Sequence, residues 1–162
     1  MNYTIRKATI KDLCEITRLE AACFPPAEAA NEEDFEKRLR VYPSCFWLLT
    51  VDNRIICVVN GMVSDSDVLV DEMYSDASLH NPDGSWQMIF GVETHPDFRH
   101  KGYMDKLLRQ VIDDVKEDGR RGIVLTCKDN LVKFYEKFGF KNEGVSGSTH
   151  GGVVWYQMKY VY

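Results

Sequence analysis

Residues 86–115 read WQMIFGVETHPDFRHKGYMDKLLRQVIDDV, and the order of features in this stretch decides the fold. Residues 86–94 are apolar, β-branched or aromatic enough to predict a buried strand. Pro96 ends that strand because proline has no N–H to donate to a sheet. From Met104 onward the apolar residues recur with helical spacing, which predicts a helix with one face on a sheet. They are Met104, Leu107, Leu108, Val111, Ile112 and Val115.

A basic loop containing Gly102 lies between the predicted strand and helix. The first turn of a helix leaves backbone N–H groups unpaired, and the helix dipole makes that end positive. Gly102 allows the backbone to approach a phosphate closely, and Arg99 and Lys101 add positive charge. The loop therefore predicts an anion-binding site. The alternative is an ordinary strand-to-helix turn with solvated basic residues.

Length and composition predict one globular domain over residues 1–162. The chain is 44% hydrophobic and 28% charged, which is ordinary for a soluble protein. It has neither a run of about 20 apolar residues nor an N-terminal apolar signal region, so we expect no membrane association. Its five cysteines form no CxxC pair, so neither a disulfide framework nor a bound metal is expected. We expect a cytoplasmic, reduced protein.

The distribution of charge predicts the kind of partner. A net charge of −5 argues against nucleic-acid binding, which needs a basic face. Acidic residues cluster in two segments away from the basic loop, and such segments favour a cationic ligand. They are Glu28, Glu32, Glu33, Asp34 and Glu36, then Asp65, Asp67, Asp71, Glu72, Asp76 and Asp83.

The remaining elements are predicted from caps, turns and periodicity. Thr9 and Asn31 are expected to cap helices, Asp52-Asn53 to form a hairpin turn, and Gly119 to end the long helix. The order is β-α-α-β-β-β-α-β-α-β-β. Predicted strands cover 3–8, 46–51, 54–64, 86–94, 123–127, 141–145 and 153–160, with a loop at 65–84 and a helix at 131–138.

Two sequence blocks resemble a known family. Arg99-x-x-Gly102-x-Met104 resembles the Q/R-x-x-G-x-G/A signature of the GNAT family of acetyl-CoA-dependent N-acetyltransferases, with Met104 in place of the final glycine or alanine. Residues 125–140, LTCKDNLVKFYEKFGF, are similar to that family's strand-5 and helix-4 segment. With CFPPAEA at 23–29 and HNPDG at 80–84, the resemblance is closest to the arylalkylamine (serotonin-type) N-acetyltransferases and their microbial relatives.

The resemblance implies a GNAT-type α/β fold, in which about four helices flank a twisted mixed sheet of six to seven strands. It also implies acetyl-CoA as cosubstrate and no metal. The backbone at 92–94 would pair with the pantetheine arm, and the glycine loop would bind the pyrophosphate. The implied cosubstrate-binding residues are Val92, Glu93, Thr94, Arg99, His100, Lys101, Gly102, Tyr103, Met104, Asp105, Asn130, Phe134 and Tyr135.

Tyr135 takes the position at which the family donates a proton to the CoA sulfur. A phenol with a pKa of about 10 is protonated at neutral pH and suits that role. Vertebrate relatives use two histidines as base, and those positions are Met88 and Phe90 here. Another group or ordered water must then remove the proton, unless the neutral amine binds directly. The candidates are Glu28 first, His80 second and Glu93 third.

The expected substrate is a small cationic amine, either an arylalkylamine or a polyamine. Phe24, Tyr74 and Trp86 are candidates for an aromatic wall. Two alternatives stay open: an acyl-CoA-binding module without catalysis, and an acetyltransferase of a protein N-terminus or lysine. A monomer or a homodimer fits the sequence equally.

Overall fold

The structure is a computed structural model, and it describes residues 2–162. The chain forms two compact units. The first unit contains the residues up to Gly61 together with Gly91–Val111. The second unit contains Met62–Phe90 together with Ile112–Tyr162.

The first unit has an antiparallel sheet of four strands. They are β1 (Tyr3–Lys7), β2 (Phe46–Val51), β3 (Arg54–Asn60) and β6 (Gly91–Thr94), in the order β1-β2-β3-β6. Asp52 and Asn53 join β2 to β3 with φ angles of 51° and 62°. Paired positive φ values are those of a tight hairpin turn, so the predicted turn is confirmed.

Two helices of the first unit, α1 (Leu13–Cys23) and α2 (Glu32–Val41), follow predicted caps. Thr9 caps a 3-10 turn that leads into α1, and Asn31 forms a capping box with Asp34 at the start of α2. The helices bury Ile16 and Phe35 completely. Each such side chain contributes about 1.5–3 kcal/mol through removal from water.

The second unit has a mixed sheet of five strands. They are β4 (Val63–Ser64), β5 (Trp86–Ile89), β7 (Gly122–Cys127), β8 (Lys141–Val145) and β9 (Tyr156–Val161), in the order β4-β5-β7-β9-β8. Only the β5–β7 pair is parallel among these strands. Its helices are α3 (Glu72–Ser75) and α5 (Val132–Glu136). The long helix α4 (Tyr103–Glu117) begins in the first unit and ends in the second.

Two predicted strands are each divided in the structure. The stretch 86–94 breaks at Phe90, because β5 pairs with β4 and β7 whereas β6 pairs with β3. The stretch 54–64 breaks after Asn60 for the same reason, since β3 and β4 have different partners. The described chain therefore has nine strands in two sheets. Across residues 2–162, no helix combines the length and the apolar character needed to cross a bilayer.

Candidate active site

The predicted anion loop has an unusual backbone. Arg99 donates from Nε to the carbonyl oxygen of Thr94 at 3.1 Å, which fixes the start of the loop to the end of β6. His100 has a φ of 63° and Gly102 a φ of 82°. A positive φ is uncommon for a residue other than glycine, and such strain is concentrated at functional sites. Backbone N–H groups in alternating conformations of this kind form concave anion sites.

Gly102 is required for its backbone angle rather than for close packing. A Cβ atom at this position would meet no heavy atom within 4 Å. Its carbonyl accepts a hydrogen bond from the Lys106 N–H at 3.3 Å, so α4 starts directly after the loop. Lys101 and Gly102 are exposed, whereas Met104 is half-buried. The first-turn N–H groups of a 15-residue helix therefore follow an exposed, basic loop.

Strand β6 leads into this loop and lies at the edge of its sheet. Val92 pairs with Val59, Glu93 with Val58 and Thr94 with Cys57. Among residues 2–162, the only strand that pairs with β6 is β3. The other edge of β6 thus has the strand geometry that an extended ligand can extend by backbone hydrogen bonding.

Behind β6, the first unit contains a buried polar cluster. It joins Glu20 from α1, Arg38 from α2, Asn60 from β3 and Glu93 from β6. Arg38 donates from Nη1 to Asn60 Oδ1 at 3.1 Å. A Cβ atom at Gly91 would lie 3.1 Å from Asn60 Nδ2, 3.4 Å from Glu93 Oε1 and 3.6 Å from Glu20 Oε1. These three side chains therefore converge beside the Gly91 backbone.

Burial raises the pKa of Glu93 well above the ordinary carboxyl value. The negative charge of Glu20 and a side-chain hydrogen bond to it raise the pKa further, and the positive charge of Arg38 opposes part of the rise. Glu93 is consequently protonated at a pH at which most carboxyl groups are ionised.

Glu28 lies in the loop between α1 and α2, and its side chain is buried. The loop turns at Pro25, whose carbonyl accepts from the N–H groups of Glu28 at 2.9 Å and Ala29 at 3.0 Å. Glu20 Oε2 accepts from the Ala30 N–H at 2.8 Å. The carboxyl group of Glu28 is thus carried by a loop that is fixed at both ends.

Tyr135, the predicted acid, lies in α5 of the second unit and is buried. The rings of Phe134 and Phe140 pack edge-on against it, with centroids at 5.1 and 5.8 Å. Burial raises the pKa of its hydroxyl above the ordinary phenol value, and the neighbouring Cys127 adds to the rise. The hydroxyl therefore keeps its proton throughout the neutral range. Asn130 lies in the exposed 3-10 turn that precedes α5.

His80 is bound to the backbone of its own unit. Its Nδ1 accepts from the Val63 N–H at 3.0 Å, which places the proton of the neutral ring on Nε2. Burial lowers the pKa of His80, and the positive charge of Arg120 lowers it further. The imidazole is neutral at neutral pH, but its acceptor nitrogen is already hydrogen-bonded.

An aromatic cluster in the second unit was only partly predictable. Tyr74 stacks on His150 with ring centroids at 4.8 Å and an interplanar angle of 12°, and contacts Phe90 at 4.9 Å. The Tyr74 hydroxyl shares a 3.2 Å hydrogen bond with Thr126 Oγ1. The sequence indicated Tyr74 but not His150, because stacking between residues so distant in the chain leaves no local signal in the sequence.

Trp86, another candidate for the aromatic wall, has a different environment. Its ring is buried, and the cationic groups of Arg121 and Lys159 each lie 5.3 Å from it. Asp71 orders the loop next to the aromatic cluster. It accepts from the Ser148 hydroxyl at 2.5 Å and from the Thr149 N–H at 3.1 Å, which holds the loop that carries His150.

Comparison with known proteins identifies the class. The model of the Acetyltransferase (GNAT) family matches residues 13–140. The chain belongs to the GNAT family. The family membership that the sequence resemblance predicted is therefore confirmed.

The individual relatives have low sequence identity to this chain. The serotonin N-acetyltransferase of Mesocricetus auratus is 29% identical over 109 residues, which cover 67% of this chain and 51% of the relative. The chain thus spans about half the length of the curated relatives that it matches. The loading GNATL domain of CurA from Lyngbya majuscula has a TM-score of 0.86 at 17% identity, covering 99% of this chain and 98% of that one. The PaiA N-acetyltransferase of Thermoplasma acidophilum, solved with coenzyme A, has a TM-score of 0.75 at 17% identity and covers both chains completely.

Proposed function

We propose that this enzyme transfers the acetyl group of acetyl-CoA to the primary amine of a small arylalkylamine. The observation that carries the proposal is the aromatic cluster of Tyr74, Phe90 and His150 in the second unit. Half-buried, stacked rings bind a further aromatic ring through offset or edge-on contacts. The serotonin N-acetyltransferase relatives support the same substrate class.

A polyamine is less favoured because many of the acidic residues already have local partners. In the 65–84 stretch, Asp65 accepts from Asn81, Asp67 pairs with Lys159, and Asp76 binds Ser78. These hydrogen bonds order the protein's own loop, and Lys159 partly neutralises Asp67. On α2, Glu33 and Glu36 form i,i+4 pairs with lysine and arginine.

The proposed chemistry requires two proton movements. An alkyl ammonium has a pKa of about 10.4, so the amine must lose a proton before it attacks the thioester carbon. Glu28 is the proposed base, because its carboxyl is buried in an ordered loop and the acceptor nitrogen of His80 is already used. Tyr135 is the proposed acid that protonates the departing thiolate. The amine nitrogen gains the acetyl group, and CoA leaves as the thiol.

The proposed roles in binding acetyl-CoA follow the local geometry. The backbone of Val92 and Thr94, on the open edge of β6, would pair with the pantetheine arm. The loop from Arg99 to Gly102 and the first turn of α4 would hold the pyrophosphate. We propose that residues 1–162 act as one acetyltransferase domain, since the family match runs through both units. The five free cysteines suit a reducing, cytoplasmic location.

A panel of amines tests the substrate class. The purified protein is incubated with acetyl-CoA and phenylethylamine, tryptamine, spermidine, putrescine or a peptide with a free N-terminus, and the released CoA thiol is measured. The proposal predicts that kcat/KM for the arylalkylamines exceeds that for the polyamines by about tenfold or more. Preferential turnover of a polyamine or of the peptide would contradict it.

A further inference from the structure

Glu20 and Glu93 form a buried carboxyl pair inside the first unit. Glu20 is 6% exposed and Glu93 is 3% exposed. Glu20 Oε1 and both carboxyl oxygens of Glu93 are buried without a hydrogen bond from any donor of residues 2–162. A proton shared between the two carboxyl groups would join Glu20 Oε1 to one oxygen of Glu93, and such a bond requires that one of the groups is protonated.

The remaining oxygen of Glu20 connects this pair to the loop of the proposed base. Glu20 Oε2 accepts from the Ala30 N–H at 2.8 Å. Ala30 ends the turn that begins at Pro25 and carries the buried Glu28. A change in the position of the Glu20 carboxyl group therefore acts directly on the backbone of the loop.

We infer that Glu93 and Glu20 share a single proton, and that this pair positions the 25–30 loop, and with it Glu28, for the amine. Glu20 and Glu93 are positioning residues, since they act through the loop. The role of Glu28 in this inference rests on the proposed function. The link between the carboxyl pair and the Ala30 amide is independent of the proposed function, because it rests on the hydrogen bond from Ala30 to Glu20.

The groups around Glu93 determine the pH at which the carboxyl pair loses its proton. From α1, Glu20 and the Cys23 thiol face it and favour the protonated form. From α2, Arg38 favours the ionised form, but its Nη1 is hydrogen-bonded to Asn60 of β3. On β3, the Cys57 thiol donates to Thr94 Oγ1, the hydroxyl of the residue that follows Glu93. The burial of two facing carboxyl groups outweighs the single cation, so the pKa of Glu93 lies well above the ordinary carboxyl value.

Loss of the shared proton has a defined consequence. Two ionised carboxylates would then face each other in a buried site, and their repulsion is relieved most easily by movement of Glu20. Because Glu20 accepts from Ala30, the 25–30 loop would loosen as the pH rises. Stability that depends on the raised pKa of Glu93 is fully present at low pH and is lost as the pH rises through that pKa.

Amide hydrogen exchange at Ala30 tests the inference without any substrate. In the wild type, we expect the protection factor of the Ala30 amide to fall by about tenfold or more between pH 6 and pH 9. In Glu93→Gln, the neutral amide donates to Glu20 at every pH, so the protection factor should not change over this range. Glu36→Gln, on the exposed face of α2, is the matched control and should behave like the wild type. Equal pH dependence in the wild type and in Glu93→Gln would overturn the inference.

Kinetics with an arylalkylamine provide the second readout. In the wild type, KM for the amine, calculated for its protonated form, should rise with pH while KM for acetyl-CoA stays constant. In Glu93→Gln, the rise in amine KM should be absent. A rise that persists in Glu93→Gln would overturn the positioning role. Absence of acetyl transfer to every amine would instead contradict the proposed function, and the exchange result at Ala30 would stand by itself.

Discussion

Arg99 donates from Nε to the carbonyl oxygen of Thr94 at 3.1 Å, so the basic side chain that opens the predicted anion loop also fixes the end of β6. The same carbonyl accepts from the Cys23 thiol at 3.3 Å, which links it to the end of α1. Charge and loop geometry at this position are therefore coupled. A substitution at Arg99 should affect both.

Arg99→Ala should weaken CoA binding by about 30-fold. The variant loses a cation of the proposed diphosphate site and a hydrogen bond that orders the loop, and each contributes about 1 kcal/mol. Titration calorimetry with CoA measures the change in Kd. Arg40→Ala, which removes an exposed arginine of α2 in the same unit, is the control. Equal Kd values for Arg99→Ala and the wild type would contradict the role of the loop.

Gly102→Ala should also weaken CoA binding, through strain rather than through a clash. The site has room for a methyl group, but a φ of 82° costs a residue with a Cβ about 1–2 kcal/mol. Gly102→Asn should lose less, because asparagine tolerates the left-handed region better than alanine. The order of Kd values, with glycine lowest, then asparagine, then alanine, is the expected result. The reverse order of asparagine and alanine would point to a steric rather than a conformational requirement.

Tyr135→Phe should lower kcat by about 10²-fold and leave the Kd of CoA nearly unchanged, because it removes only the proposed acid. Burial raises the pKa of Tyr135, so its hydroxyl should stay protonated as the pH approaches 10. Activity should not fall over that range through ionisation of this phenol. Steady-state rates from pH 7 to pH 10 measure both effects, with Tyr156→Phe as the control. Retention of the wild-type kcat in Tyr135→Phe would remove Tyr135 from the mechanism.

Glu28→Gln should lower kcat by about 10²-fold if Glu28 is the base. His80→Asn provides the comparison, since an asparagine oxygen can still accept from the Val63 N–H. We expect the smaller loss of kcat in His80→Asn. Both rates should be measured at pH 7 and at pH 9, where more of the amine is already neutral and the loss in Glu28→Gln should shrink. A larger loss in His80→Asn would identify His80 as the base.

Tyr74→Ala should raise KM for arylalkylamines by about tenfold and change KM for polyamines little, because aromatic contacts contribute about 0.5–1.5 kcal/mol each. Tyr74→Phe keeps the ring and loses only the hydrogen bond to Thr126, so its KM should stay close to that of the wild type. Comparable increases in KM for both amine classes would mean that the aromatic cluster supports the fold rather than the substrate.

Much of the local structure was predictable from sequence. The capping residues, the Asp52-Asn53 turn and the helix that follows Gly102 are each determined by neighbouring residues, and the structure confirms them. The break at Phe90 was not predictable, since it depends on which distant strands pair with β5 and β6.

The candidate site likewise has parts that the local sequence predicts and parts that depend on distant residues. The glycine loop and the segment around Tyr135 were recognisable because their residues are contiguous. The carboxyl pair of Glu20 and Glu93 was not, because its partners lie far apart in the chain and meet only through packing of α1 on β6. The stacking of His150 on Tyr74 has the same origin.

The decisive experiment is titration calorimetry of the purified protein with acetyl-CoA. We expect one site per chain with a Kd in the micromolar range, about 1–100 μM. Gly102→Ala should weaken that binding. If neither acetyl-CoA nor CoA binds detectably to the folded protein, the proposed cosubstrate site and the acetyl transfer that depends on it are both wrong.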